Sequence, residues 1–145
     1  MRHKLLALLL AAAAETAALA CSCRQPPDSD SGRRRLAAEL AEGAAALVEV
    51  ELARPYDDRT GRGERLRVRR TLAGRAPPVV DLERHGRPQS AACEQEFAPG
   101  RSRIVILYPP LRLGGGHRVA SSCTTFLLAD PPMLEAVTEA MRRRR

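Results

Sequence analysis

Aromatic side chains are scarce in this chain. It has no tryptophan, and its 145 residues include only two tyrosines and two phenylalanines. The net charge is +7, and a basic protein invites comparison with nucleic-acid binders, whose affinity comes from phosphate neutralisation. Proteins that bind single strands also need aromatic platforms on which bases stack. The scarcity therefore argues against nucleic acid as a partner. An acidic polysaccharide or a cell surface fits the charge better.

The sequence also lacks a constellation of residues that would carry catalysis. His85 and His117 each lie alone, in or beside a glycine-containing loop, as ordinary surface histidines do. Neither a Ser-His-Asp nor a Cys-His arrangement can be argued from the spacing. The carboxylates of Glu94 and Glu96 are better explained as solvated. We predict that the protein is not an enzyme and needs no cofactor.

Long apolar runs are missing after the first twenty residues. Leu5–Ala14 is a run of leucine and alanine behind a basic start, and it is too short to span a bilayer. Small residues stand three and one positions before Cys21, which is the pattern that a signal peptidase accepts. The sequence predicts a signal peptide over residues 1–20, one exported domain over residues 21–145, and no transmembrane segment.

A bacterial lipoprotein signal is the alternative interpretation of the same cleavage region. Such signals usually carry leucine three residues before the cysteine, where this chain has Ala18. We therefore favour a soluble protein, secreted or periplasmic, over lipoprotein anchoring at Cys21. The difference matters because a lipid on the α-amino group would block any chemistry at that nitrogen.

Four cysteines in an exported chain favour disulfide bonds. They are Cys21, Cys23, Cys93 and Cys123. A bridge from Cys21 to Cys23 would close a very tight ring, whereas both other pairings tie the amino terminus to the second half of the chain. Either pairing closes loops of roughly 70 to 100 residues, each worth on the order of 4 kcal/mol. Purely structural staples are the simplest interpretation, since no Met or His cluster supports a soft-metal or redox role.

Periodicity predicts five strands flanked by two helices. Helical spacing of leucine and alanine covers Arg33–Glu42, with Ser31 as its cap and Gly43 as its stop. A second helix, Met133–Arg143, follows a pair of prolines. The strands are predicted at residues 46–52, 65–70, 79–83, 103–108 and 117–121. Five short strands separated by turns fit a small closed or half-open barrel, so the predicted fold class is mainly β.

Arginines form two basic features along the chain. The second predicted strand places Arg65, Arg67 and Arg69 on one face, which is the candidate for contact with an acidic polysaccharide. The run Arg142–Arg145 ends the last helix, where cations suit the helix dipole, and is interpreted as a solvated tail.

Four short segments around the cysteines share a composition with a known family. They are Cys21-Ser22-Cys23 with two prolines close behind, Ser90-Ala91-Ala92-Cys93, Phe97-Ala98-Pro99-Gly100 and Cys123-Thr124-Thr125-Phe126. Together they resemble the tissue inhibitors of metalloproteinases and the wider netrin-like domain. The likeness runs from Cys21 to about Arg142, and exported bacterial proteins of this general type look like the closer match. Glu94 stands where the animal inhibitors carry a glycine, and their second, disulfide-rich domain has no counterpart here.

The resemblance implies a five-stranded OB-type barrel with two disulfide bonds, Cys21–Cys93 and Cys23–Cys123. It also implies a mechanism of inhibition. The α-amino nitrogen and the carbonyl oxygen of Cys21 would coordinate the catalytic zinc of a target metalloprotease, in the place of its water. Ser22 would enter the pocket beside the zinc. The segment Ser90–Cys93 would form the adjoining contact ridge.

Elementary chemistry is consistent with that mechanism. An α-amine binds metal only when deprotonated, and its pKa near 8 makes this form accessible. Rigid presentation by a disulfide lowers the ordering cost of binding. The first hypothesis is therefore an exported metalloprotease inhibitor. The second is a non-inhibitory extracellular binding or adhesion module of the same fold.

Overall fold

The architecture is mainly β, as predicted. A computed structural model describes residues 22–57, 59–60, 62–83 and 95–144. The strands in these ranges are β1 (Ala46–Arg54), β2 (Arg65–Gly74), β3 (Val79–Asp81), β4 (Ser102–Tyr108) and β5 (Arg118–Val119). The helices are α1 (Asp30–Ala41), α2 (Ser122–Leu128) and α3 (Pro131–Arg143). The predicted signal peptide, Cys21 and the segment 84–94 lie outside the described residues.

Helix α1 begins one turn earlier than the periodicity predicted. Ser29, not Ser31, is the residue before the helix, and its side-chain oxygen accepts a hydrogen bond from the amide of Gly32 at 3.1 Å. The stop at Gly43 is confirmed, because this glycine has a φ of 67° just beyond the helix end.

Helix α2 corrects the prediction of a single helix after the strands. The sequence Ser122–Leu128 contains two threonines and a phenylalanine, which have low helix propensity, and it spans only seven residues. It is helical because Thr124, Leu127 and Leu128, at helical spacing, are buried against the sheet and α3. Tertiary packing thus overrides local preference here.

The five strands form one antiparallel sheet curled into a half-barrel. Their order across the sheet is β3-β2-β1-β4-β5. The strands β4, β1, β2 and β3 therefore lie in the spatial order of a Greek key, in which the fourth strand returns beside the first. This order puts the short strands β3 and β5 at the two edges.

A bulge in β2 changes the predicted basic face. Val50 pairs with Val68 and Glu49 pairs with Arg70, so Arg69 is an extra residue on this strand. Strict alternation would have put Arg70 on the same face as Leu66. With the bulge, Arg69 and Arg70 are both exposed.

Two apolar clusters lie on opposite faces of the sheet. One contains only residues of the strands and of the segments next to them, and fills the inside of the curl; its largest members are Leu66, Leu82, Phe97 and Leu107. The other packs the helices onto the outer face through residues such as Leu47, Ile106, Met133 and Val137. Adjacent residues of β1 and β4 enter different clusters because side chains alternate across a strand.

The edges of the curled sheet meet at a backbone seam. The amide of His117 donates to the carbonyl of Asp81, and the amide of Glu83 donates to the carbonyl of His117, both at 2.8 Å. Leu82 and His117 thereby form a parallel bridge. At Gly116 an added Cβ would lie 2.4 Å from the Glu83 nitrogen, so only glycine fits beside this seam.

We expect Gly116→Ala to destabilise the fold by about 1–3 kcal/mol, because the new methyl group overlaps backbone atoms that cannot move without opening the seam. The free energy of unfolding in urea measures the effect. Gly114→Asn is the matched control, since that position has a φ of 78° with open space around it and asparagine tolerates this conformation. Equal stability of Gly116→Ala and the unmodified protein would contradict the steric argument.

Candidate functional site: the amino-terminal arm

A disulfide bond fixes the start of the described chain. Cys23 is bonded to Cys123, with 5.0 Å between their Cα atoms and 100 residues between them in sequence. This is the pairing that the family resemblance implied for these two cysteines. Cys123 lies in the first turn of α2, so the bridge attaches the amino-terminal segment to a helix packed on the sheet. The second predicted bridge, Cys21–Cys93, falls outside the described residues.

Residues 22–28 form an extended arm that is held at its other end as well. The guanidinium of Arg33 donates to the carbonyls of Pro27 and Asp28, at 2.9 and 2.8 Å. Pro27 also packs so closely on Gly32 that a Cβ there would lie 2.8 Å from the proline ring. The arm has no helix or strand hydrogen bonds of its own. Its course is therefore set by the disulfide and by α1.

The tip of the arm is exposed. Ser22 is exposed and Cys23 is half-buried. Cys21, the predicted zinc-binding residue, precedes the bridged Cys23 by two positions and lies outside the described residues. Of the remaining predicted site residues, Ser90, Ala91 and Ala92 lie outside the described ranges.

A cleft of about 700 Å³ flanks the arm. Its walls are Gln25, Pro26 and Asp28 from the arm, with Phe126, Ala129 and Asp130 from the end of α2. Phe126 is 46% exposed, which is unusual for a large apolar side chain. The sequence indicated Phe126 only as part of the segment Cys123–Phe126, because its position beside the arm depends on α2, which begins at Ser122, next to the bridged cysteine.

Ion pairs cover most of the predicted basic face. Arg65 donates to both carboxylate oxygens of Asp81, at 2.7 and 2.9 Å, and Arg54 reaches the same carboxylate at 3.4 Å. Two further pairs join Arg69 to Glu51 at 3.6 Å and Arg70 to Glu49 at 3.3 Å. The face is therefore mixed in charge. This weakens the argument for an acidic polysaccharide as its partner.

Arg142, Arg143 and Arg144 are exposed and each makes a contact in the structure, while Arg145 lies outside the described residues. Arg142 donates to the carbonyl of Leu72 at 3.4 Å, and Arg143 pairs with Glu139. Arg144 donates to the carbonyl of Ala41, the last residue of α1. The Ala41 carbonyl also accepts from the amide of Ala44 at 3.2 Å, so Arg144 is a second donor to it, and a cation at a helix carboxyl end suits the dipole. These arginines thus join α3 to the ends of β2 and α1.

Within the ranges that the structure covers, no group of three or more His, Cys, Asp and Glu side chains could hold a metal ion. In the same ranges no helix is long and apolar enough to cross a membrane. That the protein is not an enzyme and carries no cofactor stays a prediction.

Comparison with models of protein families, with curated proteins and with solved structures finds no match to this chain. The resemblance to netrin-like inhibitors therefore has no support beyond the residues that carry it. Function has to be argued from the arm and from the chemistry of its tip.

We expect the double variant Cys23→Ser/Cys123→Ser to lose about 2–4 kcal/mol of stability. The bridge joins residues that are 100 positions apart and so restricts the conformations of the unfolded chain, and this restriction is lost in the variant. Urea unfolding measures this loss. Limited proteolysis should also cut the arm near Gln25 in the variant and spare it in the unmodified protein. The control is Ser22→Ala, which leaves the bridge intact. Resistance of the variant's arm to cleavage would show that Arg33 and Gly32 hold it without the disulfide.

Protonation of the Asp81 carboxylate at low pH should lower the free energy of unfolding. Hydrogen bonds from Arg65 lower the pKa of this carboxyl, partial desolvation opposes them, and the charges of Arg65 and Arg54 add to the lowering. A carboxyl with a lowered folded-state pKa stabilises the fold above its unfolded pKa of about 3.9, and this contribution disappears as the pH falls through the folded value.

We therefore expect Asp81→Asn to be less stable at pH 7 and to lose less stability than the unmodified protein between about pH 5 and pH 2. Urea unfolding at several pH values measures both effects. Glu135→Gln, on the exposed side of α3, is the control for removal of one carboxylate. An unchanged pH dependence in Asp81→Asn would contradict the assignment.

Proposed function

We propose that this protein is an exported inhibitor of zinc metalloproteases that acts through its mature amino terminus. The observation that carries the proposal is the two-ended fixation of the arm, by the Cys23–Cys123 bridge and by the hydrogen bonds of Arg33. The anchors hold residues 23–28 directly behind the two residues that would bind, and a fixed support reduces the conformational freedom that such a tip loses on binding. The proposal requires cleavage before Cys21, with that residue free of lipid.

The proposed fold is an OB-type barrel. Such barrels are five-stranded, partly open and connected as Greek keys. Three observations support this assignment: the number of strands, their order, and the bridge of Leu82 with His117 between the edges. The short bridge leaves the rest of both edges unpaired among the described residues, which fits a partly open barrel better than a closed one.

The proposed chemistry uses only the backbone of Cys21. Its α-amino nitrogen, once deprotonated, and its carbonyl oxygen are two ligands on one residue, and they would occupy the open coordination position of a protease zinc. The zinc-bound water that attacks the peptide would then be displaced. Ser22, which is exposed and next in the chain, would enter the adjoining substrate pocket.

Surfaces beside the arm supply additional contact in this proposal. Phe126 borders the cleft along the arm and remains 46% exposed. Aromatic side chains that are exposed beside a binding tip are frequent anchors at protein interfaces. The segment Ser90–Cys93 would contribute on the other side if Cys93 is bridged to Cys21.

Addition of one alanine before Cys21 should reduce inhibition at least about 100-fold, because even 1.4 kcal/mol for each of two lost zinc ligands corresponds to that factor. The measurement is the inhibition constant against zinc metalloproteases from the same secretome, with the mature amino terminus verified by mass spectrometry. Addition of one alanine after Arg145 is the matched control and should leave inhibition unchanged.

Two results would overturn the proposal. Equal inhibition by the chain extended before Cys21 would exclude chelation by the amino terminus. A lipid on the α-amino group of Cys21 in the exported protein would exclude it as well, and would favour the non-inhibitory binding module. Urea unfolding of the extended chain shows whether the fold is kept, so a loss of inhibition can be assigned to the tip.

A further inference from the structure

The loop between β4 and β5 exposes two leucines at its tip. Leu111 is 65% exposed and Leu113 is 105% exposed, the value of a side chain with no neighbours. In the described ranges only two other large apolar residues, Val79 and Phe126, are exposed, and neither belongs to this loop. Two leucines on one tripeptide, Leu111-Arg112-Leu113, are therefore a concentrated apolar feature on an otherwise polar surface.

The conformation of this loop is defined by two prolines and a hydrogen-bonded turn. Pro109 and Pro110 follow β4 directly, and the amide of Gly115 donates to the carbonyl of Arg112 at 3.0 Å, which closes a turn around the tip. Gly114 supplies the left-handed conformation that this turn needs, with a φ of 78°. The turn Arg112–Gly115 thus places Leu113 at its tip, with Leu111 just before the turn, and neither leucine belongs to an apolar cluster.

The surroundings of the tip are basic and amphipathic. Arg112, between the leucines, has a side chain that is 77% exposed. Its partner Glu83 lies 3.5 Å away and is only 8% exposed, so the outward charge is positive. At the base of the loop the guanidinium of Arg118 lies 5.6 Å from the ring centre of Tyr108 and donates to the carbonyl of Pro109.

We propose that this loop inserts its two leucines into the outer layer of an anionic lipid bilayer. A bilayer surface needs no preformed pocket to take up an apolar side chain, so leucines that project from the protein can insert directly into the boundary between headgroups and acyl chains. The exposed guanidinium of Arg112, between the two leucines, is a group that favours the headgroup region of an anionic bilayer. The net charge is +7, and the predicted signal peptide contributes +1 of it through Arg2, Lys4 and Glu15, so the exported chain keeps +6, which adds attraction to an anionic surface. The inference does not depend on inhibition by the amino terminus.

The absence of tryptophan gives this proposal a direct test. Leu113→Trp places a single tryptophan at the tip, and Val79→Trp places one at an exposed apolar position on β3 as the matched control. With vesicles of phosphatidylserine and phosphatidylcholine, the tryptophan emission of the Leu113→Trp protein should shift to the blue and be quenched by brominated acyl chains. The Val79→Trp protein should show neither change. An unchanged tip spectrum, or the same changes in both proteins, overturns the proposal.

A second measurement uses the natural side chains. Leu111→Ser/Leu113→Ser should weaken vesicle cosedimentation at least about tenfold, since both leucines lose their apolar contact. Because both residues are exposed, the fold should be unaffected, and circular dichroism checks this. Vesicles of phosphatidylcholine alone should bind the unmodified protein more weakly. Equal binding of the double variant, or concentration-dependent self-association through the tip without vesicle binding, overturns the proposal.

Discussion

Two backbone hydrogen bonds at His117 determine the shape of this domain, because they join the two edges of the sheet. Without them β3 and β5 would be short edge strands at opposite ends of an open sheet. The seam brings Leu82 and Val80 over the cluster inside the curl, which excludes water from Phe97 and Leu66. Gly116 is the sequence feature on which this contact depends, since any side chain there would meet the backbone of Leu82 and Glu83.

Apolar patterns predicted the strands and both long helices because the faces that these elements bury are set by the spacing of residues within each element. The pattern of β4, for example, follows directly from Ile104, Ile106 and Tyr108 facing the helices while Val105 and Leu107 face the inside of the curl. It could not predict α2, whose threonines and phenylalanine favour other structures, nor the bulge at Arg69. Both features depend on partners that are distant in sequence, as does the ion pairing that neutralises the basic face.

The candidate site was predictable only in part for the same reason. The cysteines indicated that the amino terminus would be tied to the second half of the chain, and the Cys23–Cys123 bond confirms this tie. The second fixation, by Arg33 and Gly32, could not be inferred, because it needs α1 to start at Asp30 with Ser29 as its cap. Charged residues that hydrogen-bond backbone carbonyls leave no periodic signal in a sequence.

A short stretch of chain links every feature discussed above. The loop with Leu111 and Leu113, the seam at Gly116 and His117, and the bridged Cys123 follow one another within residues 109–123. The strand β5 between them has only two residues, so it is too short to be stable alone and is held by β4 and by the seam. Any change that opens the seam would therefore disturb the loop and the helix that anchors the arm together. The two proposed binding surfaces, at the arm and at the loop, are consequently expected to depend on the same seam, although they use different side chains.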